Sequence, residues 1–397
     1  MERPKLRRLE RHRLDRDGEV LIVLRDPLGV SEPVALPEAA APILDLLDGQ
    51  RTPAQLRHSL LFRGESFDRG EFDALLEDLS DAGLLEDDTF RGRWRAMLDA
   101  FLESPRRAPR YGDVLYPGDP AALRAVLERD LGDAASRRRR GSPLAGLVVP
   151  HQPLERGAAL LDRTLRDLPE ADELDLVVVL GTDHHPGLTP YTATDKIFDT
   201  PLGPVASDQP RVAALGRRID WLRREEIRHR EALSVELAAI YLRYLYGDAS
   251  PPILPLLCGH SALLVGDASA AADDFQAHLG DLSDDPRVLW LAVAELGHCG
   301  PAYGRPPLTE DTAEQLQARD QGLLEALTRG QVHELHRRCL SDDPQLGPPS
   351  GAAVLTTLAR LLPVGYRGDV TTYELQAAPG DEVGVHGLAG VRLWRPA

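Results

Sequence analysis

The sequence predicts an α/β protein: a large domain built on a largely parallel sheet, preceded by a small winged-helix (α+β) domain. Two observations predict this. Beyond residue 111, short apolar runs alternate with helical stretches, and three of those runs finish in histidine or glutamate. Before residue 90, three short helical patterns follow a strand signal. The domains are therefore placed at 1–90 and 111–397, with a linker helix over 91–110.

Composition narrows the function classes. At 397 residues, 43% hydrophobic and 27% charged, the chain has the make-up of an ordinary globular protein with room for two domains. No apolar run approaches the roughly 18 residues of a membrane span, and the charged N-terminus lacks the apolar stretch of a signal peptide, so the cytoplasm is the expected compartment. Cys258, Cys299 and Cys339 are too few and too scattered for a disulfide framework. A formal charge of −17 argues against general nucleic-acid affinity, which needs a basic surface.

In chain order, "GEVLIVLRDPLG" reads as a strand with a turn. "LPEAAAPILDLLDGQ" places Ile43, Leu44, Leu46 and Leu47 on one helical face and stops at Gly49. "TPAQLRHSLL" opens with Thr52 as N-cap and a proline at the first helical position. "DRGEFDALLEDLSDAGLLEDD" carries Phe72, Leu75, Leu76 and Leu79 at helical spacing and ends near Gly83. The third helix bears Glu71, Asp73, Glu77, Asp78 and Asp81, which would repel a phosphate backbone and so disfavours DNA binding. A small packing or dimerisation domain is the alternative. "RGRWRAMLDAFLESPRRAPRYG" reads as an amphipathic linker helix followed by a Pro/Arg-rich break, and the run Arg137 to Arg140 as a solvated loop, with an anion site as the alternative.

The second domain carries the chemistry. "LAGLVVPHQP" ends its apolar run at Pro150-His151, "LVVVLGTDHHP" at His184-His185, and "VLWLAVAELGHCG" at Glu295 and His298. Ligands of open α/β sheets bind beyond the carboxyl ends of the strands, so three such ends point to one shared site. A polar loop after a core strand is the bland alternative for each taken singly. In "HREALSVELAAIYLRYLYG", Glu236 lies at the rim of a stripe through Leu233, Leu237, Ile240 and Tyr244. It is read either as an exposed carboxylate pairing with Arg243 or as one facing the same cleft.

Two resemblances attach to these motifs. "LLDGQRT" and "LLEDLSDAGLL" resemble the PqqD-like, peptide-recognising winged helices over about fifty residues. Such a domain implies a peptide or protein segment as partner. Residues 115–397 resemble the MEMO family, the B component of the AmmeMemoRadiSam group. The matches run in order through "LYPGDPAALRAVLERDL", "VVPHQP", "VLGTDHH", "TPLGPVASD" with Asp208, "ALSVEL", "AELGHCG", "PPSGAAVL" and "GDEVGVHGLAG". That resemblance implies a fold similar to the LigB-like class III extradiol dioxygenases, a mixed sheet between helix layers with a metal cavity at the strand ends. It places His151 and His184 at the two histidine ligand positions, with Glu295 and His298 on the cleft wall and His185, Asp208 and Glu236 beside them. Neutral imidazole suits a divalent transition metal, with iron first and copper or zinc as alternatives. His298 would then serve as a proton donor or acceptor.

The sequence departs from the family pattern at three points. Gln345 stands where the family has its cysteine ligand, and a neutral amide replaces a thiolate poorly. Cys339, Asp342 or Asp343 could complete the site instead, an aspartate giving a 2-His-1-carboxylate set. Leu233 replaces a histidine, with Ser234 and Glu236 retained, and Val385 stands at the place of the closing tyrosine. The resemblance implies a metal-dependent redox or oxygenase-like component acting with a radical-SAM protein and other members of that system. The lost cysteine opens the alternative of a non-catalytic scaffold that keeps the cavity.

Overall fold

The computed structural model of the chain describes every residue except 1, 17–18, 66, 185–186, 260–266, 341–342, 379–382 and 397. The chain divides into two units, Met1–Glu103 and Ser104–Ala397. In the first, β1 (Glu10–Arg16), β2 (Glu19–Arg25) and β3 (Val34–Pro37) form an antiparallel sheet in that order. The helical pattern read from Leu36 is realised only in part, since β3 runs to Pro37 and α1 is confined to Ala41–Leu44. The proline ring of Pro37 disfavours helical geometry at the residue before it, which keeps Leu36 extended.

Helix α2 (Pro53–Phe62) starts at Thr52, the N-cap the sequence predicts, which forms a capping box with Gln55. Helix α3 (Arg69–Asp81) is capped by Asp68, whose side chain accepts from the Gly70 N–H at 2.7 Å. Gly83 then takes the left-handed conformation, φ +74°, that ends the helix without a Cβ penalty. Leu24, Ile43, Leu56, Leu60, Phe72 and Leu79 close the core of this unit. Glu71, Glu77, Asp78 and Asp81 are exposed. The amphipathic stretch read as a linker is α4 (Asp88–Glu103).

The second unit opens with β4 (Arg106–Arg107) and α5 (Pro120–Leu131). Then come β5 (Leu144–Pro150), α6 (Leu154–Thr164), β6 (Leu176–Thr182), β7 (Tyr191–Ala193), β8 (Ile197–Phe198) and α7 (Gln209–Arg218). They are followed by α8 (Leu233–Tyr246), β9 (Ile253–Cys258), α9 (Asp267–Ala277), β10 (Val288–Ala294) and β11 (His298–Cys299). The unit closes with α10 (Glu310–Thr328), α11 (Val332–Cys339), α12 (Ala352–Leu361), β12 (Arg367–Ala377) and β13 (Val385–Trp394).

The large sheet runs β11-β13-β5-β10-β6-β9-β7, with β12 paired to β13. Its four central strands, β5, β10, β6 and β9, are parallel and buried along their whole length, as unbroken apolar runs require. Its margins, β7 on one side and β13, β12 and β11 on the other, are antiparallel, so the sheet is mixed. Side chains alternate across it: Val288, Trp290 and Ala292 of β10 join one core, Leu289, Leu291 and Val293 the other. Helices α5, α6 and α8 cover the second face, and α7, α9, α10, α11 and α12 the first. A helix layer thus lies on each side.

Two polar details differ from the local reading. Glycine at 181 lets the N-terminal turn of α8 close on β6, where a Cβ would overlap Ser234 Oγ. The run Arg137 to Arg140 is not wholly solvated, because Arg137 is buried and donates to the Asp162 carboxylate at 2.6 Å. No helix among the described residues is long and apolar enough to cross a membrane.

Candidate functional site

Parallel register brings three strand ends together. Pro150 of β5 lies opposite Ala294 of β10, and Gly181 of β6 opposite Val293, so the residues that follow emerge side by side. These are His151, Glu295, and Asp183 with His184. His151 Nδ1 and His184 Nε2 stand 3.1 Å apart, with ring centroids 5.0 Å apart and planes inclined by 14°. His151 is buried and its Nε2 has no hydrogen-bond partner, whereas His184 is exposed. Burial, then the neighbouring His184, pushes the His151 imidazole down to about 4, so it is neutral at ordinary pH.

Between them sits Glu295. Gln152 Nε2 donates to one carboxylate oxygen at 2.5 Å and Ser350 Oγ to the other at 3.2 Å. Burial works to raise this carboxyl, but the facing His151, His184 and His386 imidazoles and the Ser350 hydroxyl hold it below its ordinary range. Burial also pushes His298, on β11, down to about 4. His298 lies opposite His386 of β13, and its ring packs against Tyr303 at 4.8 Å. The Tyr303 hydroxyl and His386 Nδ1 are hydrogen-bonded at 2.6 Å, and His386 Nε2 is buried with no partner.

The walls are tied down from outside. Asp183 pairs with Arg228, and Arg228 pairs with Glu225, which takes the Leu188 and Thr189 N–H groups. Ser234 Oγ donates to the Thr182 carbonyl at 2.9 Å, holding the end of β6. The Gly351 N–H donates to the Glu295 carbonyl at 3.0 Å, so close that a Cβ there would overlap that oxygen and lie 2.7 Å from the Ala294 Cβ. Gly351→Ala is therefore expected to cost about 1–3 kcal/mol, the range for overpacking, and to loosen Ser350 from Glu295. Chemical denaturation checks it, and a midpoint equal to that of the unaltered protein would refute it.

Of the residues singled out from sequence, His151, His184, Glu295 and His298 come together. Glu236 does not join them. It is buried rather than exposed, pairs with Arg107 instead of Arg243, and accepts from the Arg110 and Tyr111 N–H groups and from the Tyr116 hydroxyl. Asp208 caps α7, accepting from the Arg211 N–H at 3.0 Å, next to the amino end of β9 and so away from the strand ends. Gln345 is exposed, and its N–H donates to Asp343. Cys339 is buried in the core behind the sheet, where burial pushes its thiol up to about 12. His185 and Asp342 lie outside the described residues.

Gln152, Ser350, Tyr303 and His386 were not picked out from sequence. Gln152 and Ser350 stand inside motifs that were, "VVPHQP" and "PPSG", so adjacency was a usable signal. His386 follows the Val385 taken for the closing tyrosine position, and Tyr303 carries no local mark at all.

Among the described residues no three His, Cys, Asp or Glu side chains are grouped so as to hold a metal ion. The donor chemistry nevertheless fits two positions of a divalent transition metal, since His151 Nδ1 and His184 Nε2 face one another and His151 is neutral. Without an ion, the same two nitrogens are within hydrogen-bond distance, one donating and the other accepting according to the tautomer.

A family profile described as Memo-like protein matches residues 107–376. Three relatives are each called a MEMO1 family protein. The one from Aquifex aeolicus is 25% identical over 287 residues, 72% of this chain and 73% of its own. That from Thermus thermophilus is 29% identical over 262 residues, 66% of this chain and 75% of its own. That from Desulfurococcus amylolyticus is 20% identical over 299 residues, 73% of this chain and 99% of its own.

Proposed function

The chain belongs to the Memo-like protein family, and from that premise we propose that it is a metal-dependent redox or oxygenase-like component of the AmmeMemoRadiSam group, working in the cytoplasm with a radical-SAM partner. The observation that carries the reading is the approach of His151 Nδ1 to His184 Nε2, 3.1 Å apart at the ends of two strands that flank β10. In this reading the two imidazoles hold a divalent transition metal, iron first, and the LigB-like cleft leaves its other positions to water or ligand. The bound metal would supply Lewis-acid or redox chemistry. The residues around it have their own tasks. Glu295 supplies negative charge, Gln152 and Ser350 orient it, and the neutral His298 accepts a proton from a ligand on that wall.

The test is the metal content of protein purified without oxygen. His151→Ala with His184→Ala is expected to lose the metal that the unaltered protein retains, while Cys339→Ser keeps it because that thiol lies in the core. A wild-type protein holding no more metal than the double variant overturns the reading. The exposed side chain of Gln345 favours a second reading, a binding scaffold that keeps the family cavity without its third ligand, and that outcome would support it.

For the N-terminal unit the proposal is a PqqD-like winged helix that takes an extended peptide or protein segment by strand addition. Its support is that, among the described residues, β1 and β3 each pair with β2 alone, leaving two sheet edges. The full chain is expected not to bind duplex DNA at low salt, given the exposed acids of α3. A fluorescence-anisotropy titration checks this, and tight binding that weakens steeply with salt would refute it.

A further inference from the structure

We propose that Arg305 and Arg319 form a docking point for an anionic group, a carboxylate or a phosphate, on the ligand of the strand-end cleft; the proposal rests on that cleft being the ligand site. Arg319 lies on α10 and threads between two glycines. Its Nη1 donates to the Gly347 carbonyl, and its Nη2 lies against Gly297, where a Cβ would overlap it. Its Nε and Nη2 are buried with no hydrogen-bond partner. The Arg305 guanidinium lies on the other glycine, so that a Cβ on Gly347 would come within 2.5 Å of its Cζ. Two guanidinium groups therefore converge on Gly347.

Asp320 and Asp343 lie near enough to favour the Arg319 charge, but among the described residues neither pairs with a guanidinium. Asp320 gives one carboxylate oxygen to the Gly297 N–H at 3.1 Å and the other to the Tyr373 hydroxyl at 3.2 Å. Asp343 gives one oxygen to the N–H groups of Gln345 and Leu346, at 2.8 and 3.3 Å. Buried donors without acceptors are unfavourable, and two like charges in one corner repel, so the pair is poised for an external anion. The fork of an arginine matches the two oxygens of a carboxylate or phosphate.

The corner adjoins the cleft through His298. Burial first holds that imidazole neutral against the pull of Glu295, and Arg305 and Arg319 act with the burial. His298 follows Gly297, against which Arg319 Nη2 lies, and stands shortly after Glu295, the carboxylate that borders the His151–His184 pair. Glu295 has its oxygens engaged by Gln152 and Ser350 and would repel an anion, whereas the arginines attract it. A ligand anchored by an anionic end at Arg305 and Arg319 would lay its next atoms along His298 toward the two histidines.

The experiment is calorimetric titration of metal-free, full-length protein with inorganic phosphate and, separately, with malonate, at constant ionic strength set by chloride. Saturable binding of either anion is expected. Phosphate alone would identify a phosphate ester as the ligand class, and malonate alone a carboxylate. Arg305→Gln should weaken binding roughly tenfold, the loss of one charge-assisted contact, and among the described residues no hydrogen bond depends on its side chain. Arg319→Gln should do the same, with a thermal melt to show that the variant still folds. The His151→Ala, His184→Ala double variant should bind the anion as the unaltered protein does. Metal content that behaves as proposed, with anion binding absent in the wild type and in every variant, overturns this proposal alone. An Arg305→Gln protein with unchanged anion affinity overturns it as well. Anion binding in a protein that never holds metal would leave it standing and remove the metal reading.

Discussion

Glu236→Ala is expected to cost the protein about 3–5 kcal/mol, the range for removing one partner of a buried ion pair. Glu236 and Arg107 are both fully buried, with side chains 0% and 1% exposed. Arg107 also donates to the carbonyls of His229, Arg230 and Ala232, at 3.1, 3.0 and 3.4 Å, and burial pushes its guanidinium down to about 10, still charged at neutral pH. Glu236 takes the Arg110 and Tyr111 N–H groups as well, so one carboxylate pins the whole entry segment of the second unit to α8. Its removal strands a buried cation and two backbone donors together. Urea denaturation of the single variant beside Arg107→Met/Glu236→Leu is the measurement. The double variant should recover part of the loss, because an apolar pair leaves no charge unpaired although the Arg110 and Tyr111 N–H groups still lack their acceptor. A single variant within about 1 kcal/mol of the wild type would show that the network does not hold the segment.

The second large effect is on acid stability and centres on His229. Its ring is buried, with Nε2 and the Thr192 carbonyl 3.0 Å apart and Nδ1 without a partner. Burial pushes its pKa down to about 3, opposed by the Thr192 carbonyl and aided by Arg228, Arg107 and Lys196. The folded protein therefore keeps His229 neutral where the unfolded chain, near 6.5, already binds a proton. Its share of stability is fully present above about pH 6.5 and is lost as pH falls toward 3. His229→Gln can still donate to Thr192 and does not titrate. Between pH 6.5 and 4.5 the wild type is expected to lose about 2–3 kcal/mol more than this variant, at about 1.4 kcal/mol per pH unit. Taking the difference removes the other groups, including Asp320, whose carboxyl is raised to about 6 by burial and acts with the opposite sign. Denaturation curves at four pH values check it, and parallel curves for the two proteins would refute it.

Much of the second unit was legible because its signals are local. A parallel strand covered on both faces must be apolar throughout, and the ends of such runs are where ligands bind, so His151, His184 and Glu295 could be placed beside one another from three short segments. The N-cap at Thr52 and the glycine stop after Asp81 were equally local. The helix read from Leu36 was shortened by a proline whose effect on the preceding residue outweighs the apolar periodicity.

What the sequence by itself determined was therefore the alternation of apolar strands with helices beyond residue 111 and the histidines and glutamate at three strand ends, which follow from the spacing of neighbouring residues. Only the tertiary structure decided which polar groups meet. Glu236 reads as the rim of an amphipathic helix, yet it is buried against an arginine 129 positions away. His386 reaches the cleft because β13 returns antiparallel beside β5, with β11 paired to the same edge beyond the end of β5 and β12 to the other edge. Cys339 is withdrawn into the core by α11, and Gln345 is turned to solvent by the loop that follows it. The physical reason is the same in each case. Periodicity fixes which face of an element is apolar, but a buried polar group is stable only with its partner, and that partner is supplied by a distant strand or loop whose position no local pattern encodes.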